Sequence, residues 1–269
     1  ADITATVRDP AGTLMVDADI TAQALDVGGQ RIDDLKVTAE GGADENTVSV
    51  SVKALGASLD ANGAVALVDG DATVNLAGLT VTGGGQTGTL ARPATIRIAD
   101  GGATIEGFSL KTGGGGIDID GKAGETLDLK VAINALPLAL ADIAMPGSGI
   151  AGTLSGTATI SGAASAPAGD YRLQVSGLLL PAMRQAGVAA ADIDASGTLA
   201  NGRSSVDAKI TSSTSAALNI TGPVPLSATG ALDVAIRGRV DRALPNATLA
   251  ASGDGGSGPL HPPAAPADQ

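Results

Sequence analysis

Between Leu127 and Ile133 apolar side chains fall at every second position (Leu127, Leu129, Val131, Ile133), with Asp128 and Lys130 between them. A period of two puts the four on one face of an extended strand and the charges on the other, an arrangement no helix gives. The stretch continues through a Pro-opened apolar segment and a Gly-punctuated strand pair to Gly162, LDLKVAINALPLALADIAMPGSGIAGTLSGTATISG, and similar units recur along the chain.

What such strands can pack against is limited by the side chains available. Phe108 and Tyr171 are the only aromatics in 269 residues, Trp is absent and Gly numbers 39, so the large interlocking groups of a compact core are missing. The 43% hydrophobic content comes almost entirely from Ala, Val, Leu and Ile, the set that suits regularly stacked, pleated strands. An elongated all-β sheet or solenoid is expected in place of a globule.

Strands are expected at Leu14 to Ile20, Leu35 to Ala39, Val48 to Ala54, Val65 to Val68, Val74 to Leu76 and Ile96 to Ile98, each bounded by breakers. Asn62-Gly63, Asn201-Gly202 and Asp100-Gly101-Gly102 have the chemistry of tight hairpin turns, which implies antiparallel meandering connections. From Ile96 to Ile133 strands and turns alternate, and the apolar pattern slips across Gly107 as a β-bulge would make it. Two short helices are expected, Leu136 to Ala144 and Leu179 to Ala186, opened by Pro137 and Pro181. At two turns each they are unstable alone and must dock on the sheet as caps or plugs.

LDLKVAI at Leu127 returns in form as LDVAIRG at Leu232, 105 positions on, and Pro137 is echoed by Pro245. Leu154-Ser155-Gly156, Ile160-Ser161-Gly162, Val175-Ser176-Gly177, Ala195-Ser196-Gly197 and Ala251-Ser252-Gly253 look like one repeated strand-ending tripeptide. The expected organisation is one continuous segment over 1–254, with sub-repeats near 127–231 and 232–254, and a disordered Pro/Ala/Gly-rich tail over 255–269.

The charge and the motifs exclude most chemistry. A net charge of −12, with its cations scattered singly, offers no stripe to bind a phosphate backbone, so no nucleic-acid partner is expected. Without cysteine there is no disulfide frame or thiolate metal site, and the lone histidine, His261, sits in the tail, out of reach of a folded pocket. Gly83 to Gly88 has the GxGxxG spacing, but a strand pattern follows where a dinucleotide site needs a helix, so it reads as a turn. GGGGIDID, from Gly113 to Asp120, departs from the calcium nonapeptide at Asp120 and has no tandem copies. The carboxylate pairs Asp118/Asp120 and Asp192/Asp194 read as solvated strand faces, and no enzyme, cofactor or metal site is expected. No apolar run reaches about 18 residues and ADITATVRDP has neither the basic nor the apolar region of a leader, so any membrane anchor or export signal is expected outside this chain.

The apolar strand faces remain, either packed on one another as a sandwich core or lining an open groove that a flexible acyl chain could fill. The segment from Leu127 to Gly177 resembles the TamB family, the translocation and assembly module subunits of Gram-negative bacteria, in the alphaproteobacterial style. The neighbouring runs agree with it in order: RIDDLKVTAE (Arg31 to Glu40), ARPATIRIADGGATIEGFSL (Ala91 to Leu110), ADIDASGTLANGRSSVDAKI (Ala191 to Ile210) and LDVAIRGRVDRALPNATLAASG (Leu232 to Gly253). The resemblance covers the chain to about Gly258 and rests on strand, turn and small-residue patterns, not on a catalytic signature.

That resemblance implies an elongated antiparallel sheet curled into a U-shaped, taco-like groove with an apolar interior. It implies a periplasmic protein anchored in the inner membrane by an N-terminal helix, with a TamA-like outer-membrane barrel as partner. Its role would be to pass phospholipid acyl chains between the membranes and support outer-membrane protein and autotransporter assembly. Set against that resemblance, the lack of an anchor pattern and the PLHPPAAPADQ ending make an internal or C-terminal-half piece the expectation, with the TamA-like contact expected through a region outside it. Groove-lining residues are expected at Leu127, Leu129, Val131, Ile133, Ile193, Ala195, Leu199, Val234 and Ile236. The competing expectations are a chaperone-like module that offers sheet edges to unfolded barrel strands, and a surface β-solenoid passenger.

Overall fold

A computed structural model describes residues 2–8, 15–27, 30–42, 45–145, 147–212, 216–226 and 233–240. Within them the chain forms a 17-stranded sheet. The first half contains β1 (Asp2–Arg8), β2 (Met15–Val27), β3 (Gln30–Gly42), β4 (Glu45–Ala54), β5 (Ala57–Val68), β6 (Asp71–Gly83), β7 (Gln86–Leu90), β8 (Ala94–Ala99) and β9 (Gly102–Thr112). The second contains β10 (Gly116–Ala123), β11 (Thr126–Pro137), β12 (Ala151–Ala163), β13 (Ala168–Leu179), β14 (Ala191–Ala200), β15 (Arg203–Ser212), β16 (Ala216–Pro225) and β17 (Ala235–Val240). Consecutive strands pair antiparallel throughout, except that β7 and β8 lie end to end between β6 and β9. The expected all-β antiparallel meander is the fold.

Most strands are longer than the apolar runs that announce them, because polar and Gly positions pair as well as apolar ones. Val65 to Val68 and Val74 to Leu76 are parts of β5 and β6. Leu14, at the start of the first expected strand, lies outside the described residues. Asp100-Gly101 and Asn201-Gly202 turn with both residues at positive φ, as two-residue hairpins require, and Leu55-Gly56 and Asp69-Gly70 do the same. Asn62-Gly63 is not a turn: it lies inside β5 at a register shift against Leu76 and Gly78. The Cβ missing from Gly63 would fall 2.3 Å from the Asn75 carbonyl oxygen, so glycine there serves close strand approach.

The helices are shorter than expected. Leu136 and Pro137 still pair with Leu154 and Thr153 as the end of β11, so helical backbone begins only afterwards, with a 3-10 turn at Leu138–Leu140 running into α1 (Ala141–Ala144). The second helix, α2, is Pro181–Gln185. The Ser-Gly tripeptides are not general strand ends either. Gly156 and Gly197 are interior to β12 and β14, Gly177 sits at a bulge in β13, and only Ile160-Ser161-Gly162 falls at a strand end. Leu232, Pro245, Ala251 to Gly253 and the 255–269 tail lie outside the described residues.

The sheet curls. Four strand spacings separate β6 from β11, about 19 Å if the sheet were flat. The chain leaving β11 nevertheless reaches Gly84, in the β6–β7 turn, with only two residues, about 7 Å of reach: the Cβ position of Gly84 is 2.3 Å from the Ala139 carbonyl oxygen. Next to it, the Cβ position of Gly83 is 2.4 Å from Ile143 Cγ1 and 3.2 Å from Ala57 Cβ. Gly83 and Ala57 follow the alternation of the apolar face, which therefore forms the inside of the curl.

Candidate functional site: an uncovered apolar face

The pairing registers carry one row of apolar and Gly positions across β9 to β17: Leu110, Ile117, Ile133, Gly156, Leu173, Ala195, Ala208, Ile220 and Ile236. Eight strand spacings make this row about 38 Å long. A second row runs through Phe108, Ile119, Val131, Ala158, Tyr171, Gly197 and Val206, and a third through Ile105, Gly121, Leu129, Ile160, Gly169 and Leu199. Nearer the strand ends, Leu136, Leu154, Val175, Ile193, Ile210 and Leu218 form another.

Every expected lining residue falls on this face. Leu127 pairs with Gly162, Leu129 with Ile160, Val131 with Ala158 and Ile133 with Gly156. Ile193, Ala195 and Leu199 stand opposite Ile210, Ala208 and Ser204. Val234 precedes β17, its Cα 3.0 Å from the Cβ position of Gly222, and Ile236 pairs with Ile220. Ile236 is the most open of the set at 64% exposure.

Nothing among the described residues is packed on these rows as a second layer. The buried hydrophobics are Ala22, Ala94, Ala191 and Ala208, and no Val, Leu, Ile or Phe is among them. Along β11 exposed and half-buried positions alternate, with Leu127, Leu129, Val131 and Ile133 all half-buried. A sandwich core would bury such residues fully. Where β4, β5 and β6 meet, the Asn62/Gly63 shift leaves a depression of about 190 Å³ lined by Val48, Val50, Ala61, Asn62, Gly63, Val65, Val74 and Leu76. A depression of about 430 Å³ on the other face has polar walls, mainly Lys36, Thr38, Ser49, Ser51, Asp60 and Thr80.

Keeping one face apolar across the sheet requires each strand irregularity to restore parity, and one device does this three times. In β9, β13 and β11, two residues oppose one on the next strand: Glu106-Gly107 opposite Asp120, Ser176-Gly177 opposite Asp192, and Asn134-Ala135 opposite Ser155. The second bulge residue takes positive φ, at 71°, 65° and 42° respectively. Its N–H donates to the side chain of the single opposing residue: Gly107 to Asp120 Oδ1 at 2.6 Å, Gly177 to Asp192 Oδ1 at 2.8 Å, and Ala135 to Ser155 Oγ at 2.9 Å. Apolar side chains three apart, as in Ile105/Phe108, Ile133/Leu136 and Val175/Leu178, thereby return to the same face. The slip at Gly107 is the one instance the alternation announces. The Asp or Ser that anchors each bulge was missed, because it lies on another strand with no fixed sequence offset.

The carboxylate pairs belong to the polar face. Asp118 faces Lys111 Nζ at 3.4 Å, Asp120 and Asp192 anchor bulges, and Asp194 accepts from Gln174 Nε2 at 3.1 Å. The Gly83 to Gly88 run is the β6–β7 hairpin, turning at Gly84-Gly85. Among the described residues, no group of His, Cys, Asp or Glu stands close enough to hold a metal ion, and no helix is long and apolar enough to cross a membrane. Two aromatics interrupt the aliphatic rows, Phe108 and Tyr171, and Tyr171 lies over Gly197 with its hydroxyl 3.0 Å from Ser204 Oγ. Comparison with family models, with curated proteins and with solved structures finds no match.

Proposed function

We propose that the apolar face holds phospholipid acyl chains and lets them move along the strand-stacking direction. The chain would then be one segment of a TamB-like periplasmic bridge between inner and outer membranes, supporting outer-membrane protein and autotransporter assembly with a TamA-like barrel. The observation that carries this reading is an uncovered aliphatic face continuous over about 38 Å, backed by a polar outer face.

The energetics suit a conduit. A fully buried methylene is worth about 0.8 kcal/mol, and contact on one side about half of that. Ten methylenes then give about 4 kcal/mol, a Kd near 1 mM. Such a hold is strong enough to favour the groove over water and weak enough for rapid displacement. The hydroxyls on this face, Tyr171 and Ser204, are bonded to each other, so lipids would be taken by their tails.

A photo-crosslinking amino acid at Val131 in the full-length protein in cells tests the reading, and phospholipid adducts are expected. Adducts only with nascent barrel proteins would replace it with the chaperone reading, in which exposed strand edges pair with unfolded substrates. Absence of both would end the groove assignment.

A further inference from the structure

At the end of the sheet that carries the β6–β7 turn, the apolar face already has an occupant. The Leu138–Ala144 segment leaves β11, crosses inside the curl and seats Ile143 in a notch made by Gly83, which is buried, and Ala57. The notch exists because position 83 has no side chain: a Cβ there would lie 2.4 Å from Ile143 Cγ1. At Gly84, with φ of 58°, a Cβ would meet the Ala139 carbonyl oxygen at 2.3 Å. Two successive glycines thus shape the sheet end to receive this one segment.

Polar contacts hold the segment in place. Asp142 accepts from the Ser148 hydroxyl and from the Gly149 N–H, the latter at 3.0 Å. Arg184 Nη2, on α2, donates to the Gly149 carbonyl oxygen at 2.7 Å. An apolar side chain seated in the notch and a polar clamp on the residues around it make a plug, where a passing linker would need neither.

We infer that Leu138–Ala144 is an internal plug that competes with acyl chains for this end of the apolar face and confines them to the rows below it. The inference rests on the acyl-chain reading above. Its test places the photo-crosslinking residue at Val81, on the strand that carries Gly83 and two positions before it, in parallel with Val131. Ile143→Ala empties the notch from the plug side, and Gly83→Ala fills it from the sheet side and drives Ile143 out. Both variants are expected to raise the lipid adduct at position 81 several-fold relative to the parent, with the adduct at 131 unchanged. An unchanged adduct at 81 in both variants, with 131 still labelled, overturns the plug alone. Loss of lipid labelling at 131 in every form overturns the acyl-chain reading and the plug with it.

Discussion

Gly121→Ala probes the curl at one defined point. Gly121 sits in the third apolar row between Ile105 and Leu129, at φ of 123°, where an L side chain is strained. Its Cβ would lie 1.8 Å from the Asp128 carbonyl oxygen and 3.0 Å from Leu129 Cα. Both are backbone atoms of the partner strand, so no rotamer change relieves the contact. Holding a non-Gly residue in such a conformation costs about 1–3 kcal/mol, and giving up a ladder hydrogen bond to escape the clash adds about 1 kcal/mol. We expect about 3 kcal/mol, felt locally, because each strand touches mainly its neighbours and the sheet behaves as a quasi-one-dimensional array. Native-state hydrogen exchange read by mass spectrometry is therefore the assay, since a global melting temperature would average the effect away. Protection in β10 and β11 should fall about 100-fold, with β14 to β16 unchanged. Gly113→Ala is the control, because nothing lies within 4 Å of its Cβ position, and it should stay within about 0.5 kcal/mol. Protection in β10 and β11 that survives Gly121→Ala, or falls equally across the whole sheet, would refute the reasoning.

Removing a bulge anchor should act on register. Asp120→Ala and Asp192→Ala each delete a charge-assisted hydrogen bond to a bulge N–H, and a loss of about 1 kcal/mol apiece is expected at these exposed sites. Faster exchange of the Gly107 or Gly177 amide would report it, and the Asp→Asn variants should recover part of the loss because their carbonyl still accepts. Acid should loosen the plug clamp. The Ser148 hydroxyl, then the Gly149 and Ser148 N–H groups, hold the Asp142 carboxyl below its ordinary range. A depressed folded-state pKa gives stability that is present above the unfolded-state value and lost as pH falls through the folded-state value. Protection of the Gly149 amide, measured relative to its intrinsic exchange rate at each pH, should therefore fall on acidification through and below the ordinary carboxylate range, and Asp142→Asn should flatten that dependence.

The parts of this fold that local chemistry decides could be read from the sequence. The alternation from Leu127 to Ile133 reports a strand with one apolar face, and Asp100-Gly101 and Asn201-Gly202 report hairpins, since each pattern is decided by residues one or two apart. Pairing over longer distances was not legible. Asn62-Gly63 has turn chemistry yet lies in β5, because the preceding β4 ends at Ala54 and Leu55-Gly56 already makes the turn. Leu136 and Pro137 look helical by composition but are held extended by Leu154 and Thr153. Of the four Ser-Gly tripeptides among the described residues one lies at a strand end, one at a bulge and two inside strands, since glycine serves close approach as well as bulges and ends, and the sequence does not say which. Within β11 and within β14 the candidate lining residues share a face by simple alternation, while bulges at β9–β10, β11–β12 and β13–β14 keep that face in step from strand to strand.

The scarcity of aromatics bears on the candidate site as well as on the core. Phe108 and Tyr171 stand in the same row, and Tyr171 is folded over Gly197, whose Cβ position lies 2.5 Å from the Tyr171 hydroxyl oxygen. A large ring on this face is thus laid down over a glycine and does not stand across the curl. Elsewhere the rows alternate Val, Leu and Ile with Ala and Gly, so relief along the stacking direction stays within a few carbon atoms. An aromatic standing upright would contribute a large contact area at one place and make a deep local well. A conduit needs the opposite, wells of similar depth at successive strands, because the slowest step is escape from the deepest. On the proposed reading, the same small aliphatics that deny the chain a packed core give an acyl chain a surface of nearly uniform energy, interrupted among the described residues where Tyr171 lies over Gly197 and where the Leu138–Ala144 segment seats Ile143 against Gly83.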